Sequence, residues 1–126
     1  MTYFRDLSPY RFTKTQFSPT VVNVGWLDAR HPYSQRKADA QLVDKLLRLC
    51  KTNPVNRTRG WHHCPFCSMY PVIMTIDGEE ISLGSAEMRL ACEGHVIFAA
   101  PDLVCHYIAA HEYRPPDEFM AAVVAL

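Results

Sequence analysis

Val72-Ile73-Met74-Thr75-Ile76-Asp77-Gly78-Glu79-Glu80-Ile81-Ser82-Leu83 is the stretch on which the fold turns. Val72, Met74 and Ile76 take every second place, then Asp77-Gly78 intervenes, then Ile81 and Leu83 resume the alternation. A period of two puts one face of each strand on a core and the other in water. Asp-Gly between two such runs is a two-residue hairpin turn, because both turn residues need positive φ. The pattern continues beyond Gly84-Ser85. Met88, Leu90 and Cys92 alternate, Glu93-Gly94 reads as a turn, and Val96 and Phe98 mark a fourth strand. A four-stranded antiparallel meander is the expected centre of the molecule.

The flanks read as helices. Leu42, Val43, Leu46, Leu47 and Cys50 recur at helical spacing, with Ser34 as a cap and Asn53-Pro54 as a stop. Asp44 and Arg48 stand four apart on the wet face, the spacing of a helical ion pair. After the meander, Pro101 suits the first turn of a helix running to His111 or Glu112. Pro115-Pro116 ends it and opens a short C-terminal helix with Phe119, Ala122, Val123 and Leu126 on its apolar side. Val21 to Leu27 reads as a further strand. Residues 1–20 hold Ser8-Pro9, Ser18-Pro19 and the aromatics Tyr3, Phe4, Tyr10, Phe12 and Phe17, the composition of an extended arm laid on the core. The expected class is α+β: the meander, two main helices at about 35–50 and 101–112, and the short C-terminal helix.

The 126 residues suffice for one domain spanning 1–126, with 48% hydrophobic and 21% charged residues. No apolar run reaches the roughly 18–20 residues of a membrane span. Met1-Thr2-Tyr3-Phe4-Arg5-Asp6 lacks the layout of a secretory signal, so a cytoplasmic protein is expected. Net charge is zero, but residues 1–63 carry 11 Lys/Arg against 4 Asp/Glu, and residues 64–126 carry 2 against 9. Such halves either pair with each other or leave a basic face for nucleic acid or an acidic protein. The first reading is preferred, since dedicated nucleic-acid binders are usually basic overall.

Five cysteines, an odd number in an expected intracellular setting, favour metal or redox chemistry over a disulfide framework. Cys50 and Cys92 sit in apolar patterns and read as buried thiols. Cys64-x2-Cys67 precedes the meander, and His106-x4-His111 lies on the helix after it. Two thiolates on a tight turn and two imidazoles on one helix form a tetrahedral zinc ligand set. Alone, His111 would read as a core histidine, and the cysteines as a chance pair. Thirty-eight residues part Cys67 from His106, a distance the meander can fold away. On a helical wheel with Leu103 at zero, His111 falls at about 80° in the apolar face and His106 at about 300° on its flank. Tightening of the last turn would bring them together. Cys105, at about 200°, points elsewhere. His62, His63 and His95 are reserve ligands.

Cys64-Pro65-Phe66-Cys67 resembles the redox motif of glutaredoxins, but Pro71 and a strand follow it, so no helix N-terminus lowers a thiol pKa. Neither an H-E-x-x-H run nor a deaminase arrangement occurs, and no glycine-rich phosphate loop is present. Arg57, Arg59 and Trp61 have the composition of a phosphate-and-stacking surface, with Lys37, Lys45 and Lys51 on the helix as further cations. The preferred reading of that loop is structural, with Trp61 as a buried anchor.

Over nearly its whole length the chain resembles a family of uncharacterised bacterial proteins. The resemblance rests on Asp6-Leu7-Ser8-Pro9-Tyr10, Asn23-Val24-Gly25-Trp26-Leu27-Asp28 and Arg59-Gly60-Trp61-His62-His63-Cys64-Pro65-Phe66-Cys67. It extends through Gly84-Ser85-Ala86-Glu87, Ala100-Pro101-Asp102-Leu103, His106-Tyr107, His111 and Tyr113-Arg114-Pro115-Pro116. It implies a bacterial origin and one compact domain, and supplies no catalytic residue. Taken together, these readings describe a small cytoplasmic protein with structural zinc on Cys64, Cys67, His106 and His111. Its expected role is a non-catalytic interaction module that binds, and by one version neutralises, a protein partner. The alternatives are a zinc-dependent nucleic-acid binder and a metal- or thiol-dependent enzyme.

Overall fold

The computed structural model describes residues 2–10, 20–92 and 94–126. In chain order the elements are β1 (Thr20–Asn23), α1 (Ala40–Thr52), β2 (Val72–Ile76), β3 (Glu79–Leu83), β4 (Glu87–Cys92), β5 (Val96–Pro101), α2 (Val104–His111) and α3 (Asp117–Val124). The α+β class holds, and all four strands of the expected meander form. They do not form one sheet. Among the described residues β2 and β3 pair only with each other, while β4, β5 and β1 make a separate sheet in the order β1-β5-β4. β4 and β5 are antiparallel, but β1 runs parallel to β5, with Thr20 opposite Val96 and Asn23 opposite Ala99.

The break between β3 and β4 has a local cause. Gly84, at φ +107, lies against the backbone of His62; an added Cβ would sit 2.8 Å from the His62 carbonyl oxygen. The His62 N–H donates to the Gly84 carbonyl at 2.8 Å, and the Thr58 N–H to Ser85 at 2.6 Å. Val55 pairs with Glu87 on the free edge of β4. The loop before the cysteines thus takes the place that β3 would hold in a continuous meander. The hairpin between β2 and β3 is as expected: Asp77 and Gly78 adopt φ of 52° and 78°. Glu93 lies outside the described residues, though strands on either side pair in register from Cys92–Val96 to Glu87–Pro101.

β5 is the central strand, and it is covered on both faces: Phe98, Ala99 and Ala100 are all buried. On α1, Leu42, Val43, Leu46, Leu47 and Cys50 form the buried stripe. The cap of α1 is Asp39, not Ser34; its Oδ1 accepts from Gln41 N at 2.9 Å and Leu42 N at 3.4 Å. Residues before the cap are extended because Ser34 and Arg36 exchange backbone hydrogen bonds with Arg114 and Glu112. Arg48 ion-pairs with Asp77 across the hairpin rather than with Asp44 along the helix. Pro101 ends β5 opposite Glu87, and α2 begins at Val104 without a side-chain cap. On α3, Phe119 and Val123 are buried, Phe119 lying edge-on to Phe98, whereas Ala122 is half-buried and Leu126 exposed. Cys50 is buried as expected, and Cys92 is half-buried.

β1 stops at Asn23 rather than reaching Leu27. Gly25 takes φ +79, and an added Cβ would meet Val104 Cγ2 at 2.7 Å. The first residues run alongside as an arm, with Phe4 N bonded to Trp26 O, Leu7 N to Asn23 O and Tyr10 N to Val21 O. Among the arm's aromatics Tyr3 and Tyr10 are half-buried and Phe4 is exposed: Tyr3 stacks on His31, and Phe4 meets buried Trp26 edge-on. Phe12 and Phe17 lie outside the described residues.

Candidate metal centre

The break between the two sheets positions the site. Residues 58–62, fastened to Gly84 and Ser85, deliver Cys64 and Cys67 on a tight turn, and β5 delivers α2. Within that turn the Phe66 N–H points at Cys64 Sγ, 3.4 Å away. The Phe66 ring packs against Tyr33, Tyr107 and His111 and anchors the turn to α2.

Four side chains converge there. Cys64 Sγ lies 3.4 Å from His111 Nε2, Cys67 Sγ lies 3.4 Å from His106 Nε2, and the two Nε2 atoms are 3.2 Å apart. All four atoms fall within 4.8 Å of one another. The arrangement is not that of a hydrogen-bonded core. Each neutral imidazole has one N–H at most, so two facing Nε2 atoms with a sulfur beside each cannot all be satisfied by their own protons. Atoms that present lone pairs to a common point can hold a metal ion.

Electrostatics agree with that use. Burial, and then the neighbouring His111, hold the His106 imidazole below its usual pKa, which keeps it neutral and able to ligate. Burial pushes the Cys64 thiol up, and the Phe66 N–H only partly offsets it. A thiolate there needs a nearby positive charge, and an ion at the centre of the cluster would supply it.

α2 is α-helical to His111, so no tightening of its last turn brings the imidazoles together. The side chains close the gap themselves, their rings 4.9 Å apart and nearly perpendicular. Glu112 ends the helix in the left-handed region, and the Tyr113 N–H returns to the Tyr107 carbonyl. Burial is opposite to the wheel: His106 is buried and His111 half-buried. Cys67 is the exposed rim of the site, and Cys64 its buried side.

Residues 2–124 match a family model described as Domain of unknown function (DUF7919). The chain belongs to this family. No curated protein and no solved structure matches it.

For this member of the family, the other sequence-derived candidates fall elsewhere. His63 stacks on Tyr70, His62 joins Gly84 through its backbone, and Cys105 faces Cys50 at 3.6 Å, so none of the three enters the cluster. Trp61 is 44% exposed and is no buried anchor. It borders a hollow with Arg57 and Lys51, while Arg59 is exposed. Lys45 donates to the Val124 and Leu126 carbonyls, Lys51 pairs with Glu79, and Lys37 borders a different hollow beside Tyr113 and Pro115. Of the six contact candidates, Lys51, Arg57 and Trp61 thus share one hollow and Lys37 borders another. Arg48–Asp77 and Lys51–Glu79 join the basic half of the chain to the acidic half.

Sequence reasoning missed two supports of the site. One is Phe66, whose ring packing only the folded turn reveals. The other is Tyr107, buried edge-on to the Phe66 ring, whose hydroxyl has no hydrogen-bond partner among the described residues. Its place one residue after His106 was the available signal.

Proposed function

We propose that the four-residue cluster holds zinc in a structural role, and that the domain is a non-catalytic interaction module of the bacterial cytoplasm. The observation that carries the metal identity is the set of distances. Zinc bonds of about 2.3 Å to sulfur and about 2.0–2.1 Å to nitrogen give tetrahedral edges of about 3.6 Å for S···N and about 3.3 Å for N···N. The cluster has edges of 3.4, 3.4 and 3.2 Å. Two soft thiolates with two imidazoles also suit zinc better than magnesium or calcium. Four protein ligands fill a tetrahedral shell and leave no position for a substrate, which favours structure over catalysis.

The interaction role is supported by the surface around the knuckle. Trp61, Met69, Tyr70 and Ile73 are all large, apolar and exposed within thirteen residues of chain that include both cysteines. A protein partner, neutralised or modulated by the contact, fits such a surface better than nucleic acid does, because the α1 cations Lys45, Arg48 and Lys51 are engaged within the chain.

Elemental analysis of protein purified without chelator tests the metal, with about one zinc per chain expected. Metal-free protein with an unchanged melting curve would overturn the reading. Binding to DNA and RNA across a salt series tests the role. Weak binding is expected, and tight binding with a steep salt slope would replace the interaction reading with the nucleic-acid one.

A further inference from the structure

A groove of about 870 Å³ runs between the N-terminal arm and the strand edge, remote in sequence from the metal cluster except for His62. Its walls include Tyr3, Phe4, Tyr10 and Trp26, with Arg5, Ser8, Asn23, His62 and Glu87 among its polar members. Trp26, His62 and Glu87 also border a smaller hollow of about 70 Å³ lined by buried Asp102. The size and the aromatic lining with few polar groups are those of a small-molecule site.

The walls are fixed before anything binds. Trp26 Nε1 donates to the Ala99 carbonyl at 2.9 Å, and Phe4 stands edge-on to the indole at 5.7 Å. The Arg89 guanidinium covers the Tyr10 ring at 4.7 Å and ion-pairs with Glu87 at 3.0 Å. Asn56 Nδ2 donates to both Tyr10 Oη and Glu87 Oε2 at 3.3 Å. Asn23 is 1% exposed; its Nδ2 donates to Ser8 Oγ and Pro9 O, each at 3.2 Å, which ties the arm down. Its Oδ1 is buried and has no partner among the described residues. A buried acceptor left open costs free energy that a donor would recover. Asn23 Oδ1 is therefore the open acceptor of the lining, whereas Glu87 already accepts from Arg89 and Asn56.

We propose that this groove binds a small, planar, uncharged aromatic molecule that carries an N–H or O–H donor. The ring lies against Phe4 and Trp26, and the donor turns to Asn23 Oδ1. The site needs no metal and stands or falls apart from the zinc reading. A rigid aromatic wall recovers ring burial at little entropic cost, and the open acceptor of Asn23 selects for a donor.

Three probes share one ring and differ only at its substituent. Benzamide carries N–H donors, acetophenone replaces them by a methyl, and benzoate replaces them by an anion. The full chain, ¹⁵N-labelled, is titrated with each and followed by NMR at the backbone of residues 3–5, Asn23 and the Trp26 indole N–H. Benzamide is expected to give saturable shifts there in the millimolar range, with acetophenone and benzoate at least fivefold weaker. Phe4→Ala removes an exposed side chain and should weaken benzamide at least fivefold with the spectrum otherwise retained. The absence of saturable shifts would overturn the proposal. So would acetophenone or benzoate binding as tightly as benzamide, or Phe4→Ala binding benzamide unchanged.

Discussion

Asp102 is a buried carboxyl whose Oδ1 accepts the Gly84 N–H at 2.7 Å. Burial outweighs that hydrogen bond and the others and lifts its pKa from 3.8 to about 6. The folded chain therefore holds a proton there that the unfolded chain has released between those values. Stability from this group is present at pH 4 and is lost as pH rises through about 6, by at most about 3 kcal/mol. Asp102→Asn should remove this slope, keep an acceptor for Gly84, and leave the variant at least as stable as the parent at pH 7. Denaturant unfolding at a series of pH values checks it; a slope unchanged in the variant would exclude Asp102 as the source. At the cysteines the expected direction is opposite in sign. On the proposed zinc reading, Cys64→Ser removes a buried thiol from the cluster, and the variant is expected to bind less zinc and to lose about 10 °C or more of melting temperature, since metal binding is folding free energy. Metal content and calorimetry measured together decide this, and loss of one without the other would separate ligation from stability.

At the scale of the elements, two caps make claims that can be measured. Asp39 satisfies two N–H groups at the start of α1, so Asp39→Ala should cost about 1 kcal/mol. Glu112 ends α2 at φ 55°. A side chain in that region is strained and glycine is not, so Glu112→Gly should stabilise by about 0.5–1 kcal/mol in urea unfolding. The caps also mark what the sequence could say about elements. Periodicity located α1, the four strands and α3, because a half-buried element repeats its apolar residues whatever it packs on. It could not place the start of α1. Ser34 is as good a cap as Asp39 by residue type, and only the strand-like bonds to Glu112 and Arg114 keep residues 34–36 out of the helix. Pro101 misled in the same way, since a proline at a strand's end and one in a helix's first turn look alike in sequence.

In the whole molecule, the Cys64, Cys67, His106 and His111 cluster was legible and the sheet was not. Cys64-x2-Cys67 and His106-x4-His111 carry their chemistry in residue type, so spacing alone was enough to nominate them. The division of the meander depends on residues 55–62 docking at Gly84, Ser85 and Glu87, which is a long-range pairing with no periodic signature. The same docking links the site to the fold, and it leads to the last prediction. The cysteine turn reaches the core through two attachments, the backbone bonds of Thr58 and His62 and the packing of Phe66 against α2. The β1-β5-β4 sheet has its own ladder and does not pass through the cluster. Chelation should therefore loosen the molecule in order. Amide exchange should rise first at Phe66 and His62 and at the end of α2, while the amides of β4 and β5 keep their protection until global unfolding. Hydrogen exchange with and without chelator reads this residue by residue. Uniform loss of protection across β5 and Phe66 would mean that the metal supports the whole core, and unchanged protection at Phe66 would mean that the turn is held without it.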